Sequence, residues 1–183
     1  MHQELLSDLA AWGNFYVIIG SAAAALTGLQ FIVIVLAADR GAITPAGTKT
    51  FGTPTIVHFC AVLLLSAILS TPWHAPMPAA VALGICGAAG LAYVTIIFLQ
   101  ARRQSDYRPV LEDWIWHSII PFFAYAIILV IAVMLKQHGE VALMMLGAAT
   151  ILLLFTGIHN AWDAAVYVAV EFQQKNEKGQ NRD

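Results

Sequence analysis

Three histidines, one aspartate and one glutamine carry the reactive chemistry of a chain otherwise built for apolar surroundings: His58, His117, His159, Asp163 and Gln30. Imidazole changes charge near neutral pH, so histidines grouped inside an apolar protein can gate or relay protons. Three imidazoles and a carboxylate are also a ligand set that zinc accepts, and a metal-bound water there would make a membrane hydrolase. Two histidines on different helices can instead hold a haem iron. No HExxH helix and no haem-attachment motif accompanies them, so residue type alone leaves the three chemistries open. Two local details add to the group. His159 and Asp163 are four residues apart, which on a helix puts them on one face, with the carboxylate placed to orient the imidazole. Pro121 has no N–H for the carbonyl of His117, so the spacing predicts a kinked helix and a carbonyl freed toward the same place. Glu112 and Asp113 lie just before that helix. His2, His74 and His138 fall in the N-terminal segment and the loops and read as solvated.

The elements that must position these residues are marked by missing charge. No Asp, Glu, Lys or Arg occurs from Leu9 to Ala38, Thr50 to Ala101, Trp114 to Leu135, or Val141 to Trp162. A bilayer core needs about 20 apolar residues per helix. The chain is 60% hydrophobic and 11% charged, against about 25% charged in an ordinary soluble domain. The longest uncharged run is broken by Pro72, Pro76 and Pro78, and proline ends helices, so it holds two spans. Thr53 and Pro54 make a good helix start, a capping residue followed by proline in the first turn. The expected fold is an all-α integral membrane bundle of five transmembrane helices, at about 14–38, 54–73, 79–100, 114–135 and 141–160. They form a single transmembrane domain over 1–172, followed by a polar cytoplasmic tail over 173–183. Residues 159–172 either lie in the interface or extend the fifth span. No run alternates strictly, which speaks against a β-barrel. Cys60 and Cys86 fall inside apolar runs and read as small core residues rather than a disulfide. The acidic N-terminus has no basic n-region, so the first apolar run reads as a retained span and not a secretory signal.

Direction follows from the basic residues. Arg40, Lys49, Arg102, Arg103, Arg108, Lys175, Lys178 and Arg182 fall on one side of a five-span chain, and Lys136 on the other. The positive-inside rule then places the N-terminus out and the C-terminus in. Trp12 and Trp73 fall at outer ends, and Trp114, Trp116 and Trp162 at inner ends, as interfacial rings should. This frame brings His58, His117 and His159 to one depth, about 9–14 Å inward of their span centres at 1.5 Å per residue. Gln30 is displaced toward the same side.

Small residues recur every four positions at Gly20, Ala24 and Gly28 and at Ala80, Gly84, Ala88 and Ala92, with Gly87 and Gly90 nearby. Such stripes let helices approach closely, either within one subunit or between copies. The first span carries Ala25, Leu26, Thr27, Gly28, Leu29, Gln30 and Phe31. This phrase resembles the first helix of many uncharacterised bacterial membrane proteins with an ALTGLxF pattern, and the resemblance implies a bacterial polytopic protein and no particular activity.

A net charge of −2 without a basic stripe argues against nucleic acid. The expected partners are the lipid bilayer and either further copies or another membrane subunit. The leading expectation is an oligomeric channel or transport-type protein in a bacterial inner membrane, using the polar group at His58, His117, His159, Asp163 and Gln30. A non-catalytic subunit docking on a larger membrane complex is second. Third comes a metal-dependent enzyme with His58, His117, His159 and Asp163 as ligands, and no cofactor is assigned beyond the possibility of a metal or haem.

Overall fold

A computed structural model describes residues 2–39, 53–103, 114–135 and 139–180, and all the described secondary structure is helical. Arg40, Lys49, Arg108, Glu112, Asp113, Lys136, His138 and Arg182 lie outside the described residues. Helix α1 spans His2–Ala11, α2 Gly13–Asp39, α3 Thr53–Ser70 and α4 Pro76–Arg103. A π-helical segment, Ile115–Ile119, leads into α5, Ile120–Met134, and α6 runs from Gly139 to Gln180. Five of these stretches are long and apolar enough to cross a membrane: Gly13–Asp39, Thr53–Ser70, Pro76–Gln100, Ile115–Met134 and Gly139–Tyr167.

The boundaries follow the local chemistry. Helix α3 stops at Ser70 because Thr71 precedes Pro72, and the residue before proline is pushed out of helical geometry. The Trp73 indole N–H then donates to the Ile68 carbonyl at 2.7 Å, closing the end of the helix. Helix α6 meets no proline from Gly139 to Gln180 and continues unbroken through residues 159–172. These residues therefore continue the helix of the fifth candidate span, and the helix includes 173–180 of the polar tail.

Side chains sort by face. Val17, Ile18, Ile85 and Val133 are each more than half exposed on the outside, an apolar surface that a water-soluble domain would bury. The seams between helices keep a period of seven. On α2 the buried residues Tyr16, Ala23, Gln30 and Ala37 are seven apart, with Gly20 beside them. On α4 Pro76, Ala80, Leu83, Gly87, Gly90 and Val94 are buried in alternate steps of four and three, with the buried Ala79 beside them. This is the spacing of left-handed helix packing. A four-residue stripe rotates about 40° per step around a helix of 3.6 residues per turn, so it leaves the seam. Gly20 packs on Ser66, Ala80 is buried and Gly84 meets Ala132, whereas Ala24, Gly28, Ala88 and Ala92 face outward. At Gly87 the neighbour is backbone rather than side chain: an added Cβ would sit 2.8 Å from the Leu129 nitrogen. Both cysteines are free thiols. Cys86 is half-buried, but Cys60 points outward from α3 and is not the core residue its apolar neighbours implied.

Helices α3, α5 and α6 form the centre of the bundle, with α2 laid against α3 and α4 against α5. Trp12 and Phe15 wedge the start of α2 onto Gly147 of α6.

Candidate functional site

His58 is the most deeply buried of the candidate residues, at 1% exposure on the central helix α3. Its Nδ1 lies 3.0 Å from the Tyr125 hydroxyl, in a bond whose direction follows the imidazole tautomer. The Tyr93 ring of α4 stands edge-on to the imidazole at 6.5 Å between centroids. Neither His58 Nε2 nor the Tyr93 hydroxyl has a hydrogen-bond partner, although both atoms are buried. Tyr125 is held by a seam contact, because its ring lies directly against Gly90 and occupies the space a Cβ there would need.

His117 sits in the π-helical segment, where the Ile120 N–H reaches back to the Ile115 carbonyl. The irregularity expected from Pro121 is thus present, in the form of one widened turn. Such turns are rare and recur at functional sites. His117 is half-buried there. Side chains on a helix lean toward its N-terminus, so the Tyr125 hydroxyl reaches back toward the turn that carries His117.

His159 is near its expected partner, with Nε2 at 3.1 Å from Asp163 Oδ2. Its ring also stacks on Trp116 at 4.0 Å between centroids and 20° between planes. The His159 imidazole thus has a carboxylate on one side and an aromatic face on the other.

Helix register relates these groups. Gly157 packs on Phe59, so His159 on α6 stands level with His58 on α3, and the Trp116 contact brings the π-segment to the same level. Gln30 is buried at 4% exposure on the inner face of α2. The four candidate ligands do not gather into one set: among the described residues, no three His, Cys, Asp or Glu side chains stand close enough to hold a metal ion. His159 stands beside Asp163 on α6, while His58 and His117 sit on α3 and the π-segment. His74 is exposed.

Tyr93, Tyr125 and Thr55 join the polar layer without having been expected there, and Asn160, next to His159, belongs to it as well. Thr55 is fully buried and Asn160 is 2% exposed. Toward the other end, Phe59, Val62, Leu65, Ala23 and Leu153 are all buried to within 1%. Beyond this apolar layer lie the buried Ser66 and Tyr16 hydroxyls, which have no hydrogen-bond partner. The arrangement is a polar layer near one end of the bundle, a mostly apolar stretch of about two helical turns that holds the self-bonded Thr156, and the buried hydroxyls of Ser66, Tyr16 and Thr150 on the far side. Comparison with known protein families, with curated proteins and with solved structures finds no match to this chain.

Proposed function

We propose that this chain is a transport-type protein of a bacterial inner membrane that moves protons or a small polar species through the bundle, with its N-terminus outside and its C-terminus inside. One observation carries the reading. His58 is buried with one nitrogen bonded to Tyr125 and the other unpartnered, in a bundle whose outer surface is apolar. A buried ionisable group in such a setting is costly, and the cost favours a role over simple packing. The His159–Asp163 pair, 24% and 52% exposed, is the mouth of the path. His117 and His58 form the inner station, and the layer from Phe59 to Leu65 is the closed gate. Constrictions of this kind gate by excluding water. Ala24, Gly28, Ala88 and Ala92, turned outward, are the positions left for self-association.

The test is proton flux into liposomes containing purified protein. His58→Ala is expected to cut the flux about tenfold or more, equivalent to a barrier higher by about 1.4 kcal/mol, and His117→Ala and His159→Ala should reduce it less. Flux that is absent, or indifferent to all three, sinks the proposal.

A second reading has its own support. Gly157 against Phe59 places Asp163 level with Thr53, the first residue of α3, so residues 164–180 of α6 run about 25 Å further. Trp162, Val166, Tyr167 and Val170 are exposed there, a face suited to docking on another membrane subunit. Co-purification with a fixed partner, lost in Trp162→Ala with Val166→Ser, would favour it.

A further inference from the structure

Asn160 is 2% exposed, and neither its amide nitrogen nor its amide oxygen has a hydrogen-bond partner. Leaving a buried donor or acceptor unmade costs about 1–3 kcal/mol each, and an apolar side chain would fill the position without that cost. Two contacts show what surrounds it. Gly20 packs on Ser66, and ten residues further along α2 and ten back along the antiparallel α3 are Gln30 and Ile56. Gly157 packs on Phe59, and three residues further along α6 and three back along α3 are Asn160 and again Ile56. Gln30, Thr55 and Asn160, each at most 4% exposed, therefore share one level on three adjoining helices. His58, whose Nε2 is also unpartnered, is one turn from Thr55 on α3.

The chemistry of this niche selects its occupant. An asparagine amide offers two donors and a two-lone-pair acceptor, and glutamine the same. A bare cation would satisfy the oxygens and be repelled by the NH2 groups, and an anion would do the reverse. An occupant that both donates and accepts satisfies both, at a site that offers no charge. Buried waters make about three hydrogen bonds, and a site needs two to four polar partners to hold one. The amides of Gln30 and Asn160 supply that number, with Thr55 beside them.

We propose that Gln30, Thr55 and Asn160 form a water-binding niche inside the bundle, and that water held there is what reaches Nε2 of His58. The proposal names the occupant of the polar layer on which the transport reading rests, and its test needs no flux.

The experiment is NMR on full-length protein in lipid nanodiscs, labelled with 15N-asparagine and 15N-histidine. The Asn160 side-chain signal is assigned by its disappearance in Asn160→Leu. In the unmodified protein, magnetisation is expected to pass from water to the Asn160 side-chain NH2, although the group is buried. Gln30→Leu should at least halve that transfer, and Asn160→Leu should shift the His58 ring nitrogen signals and slow exchange at Nε2. An Asn160 amide that receives nothing from water overturns the proposal, as does a His58 spectrum unchanged in a folded Asn160→Leu protein. If Asn160→Leu does not fold, the wild-type transfer and the Gln30→Leu comparison decide the question. A protein that conducts nothing yet shows water at Asn160 refutes the transport reading alone, and one that conducts with a dry Asn160 refutes the niche alone.

Discussion

Replacing Gly90 by alanine is expected to destabilise the folded bundle by about 2 kcal/mol. A Cβ at Gly90 would occupy the space of the Tyr125 ring, and overpacking of a fitted core costs about 1–3 kcal/mol. Displacing the ring also strains or breaks the 3.0 Å contact with His58 Nδ1, a loss of about 1 kcal/mol. Against these stands the better helix propensity of alanine, about 1 kcal/mol, so the steric cost wins and the net sign is unfavourable. Reversible unfolding in mixed detergent would measure it. Tyr125→Phe keeps the ring and loses only the hydroxyl, so it should cost about 1 kcal/mol. The double variant should then cost less than the two single changes together, because both act on one contact. Full additivity would show that Gly90 does not position the histidine through Tyr125.

Phe59→Ala is expected to have the larger stability effect and to change transport in the opposite direction to His58→Ala. Phe59 is fully buried, and its ring packs on Gly157 with 2.5 Å to the position a Cβ would take there. Truncating a buried phenylalanine costs about 3–5 kcal/mol. On the membrane reading the lower end applies, since the unfolded helix keeps the side chain in lipid and only packing is lost. The same cavity thins the apolar layer between the His58 level and Ser66. On the transport reading, proton leak into liposomes should therefore rise in Phe59→Ala, whereas Phe59→Leu should restore most of the seal. A variant that is destabilised and no leakier would place the barrier elsewhere.

The number of spans and their approximate ends were legible because a bilayer demands long uncharged runs, and Pro72, Pro76 and Pro78 divide the longest of them. The His159–Asp163 pair was legible because both partners lie on one helix, where spacing alone fixes the face. The packing seams were harder to read. Gly20, Ala24 and Gly28 look like one stripe, but the α2 seam steps by seven through Tyr16, Ala23, Gln30 and Ala37, and no residue type announces that phase in a helix that is apolar all round. Tyr93 and Tyr125 joined the site unforeseen for the same reason. The signal available was that they are the tyrosines of the third and fourth spans, polar tips at mid-helix that need a partner. Asn160 directly follows His159 in the chain, and only its 2% exposure reveals that it faces inward.

Helix α6 is a single rod from Gly139 to Gln180 with no proline joint. A sharp bend in a helix needs a proline, a π-bulge or a similar defect, and the one π-segment in the described residues belongs to the neighbouring span. A load applied at Val170, about 20 Å beyond Gly157, is therefore passed along the axis with nothing to absorb it. Asn160, His159 and the Phe59 contact would move together, as points on one lever.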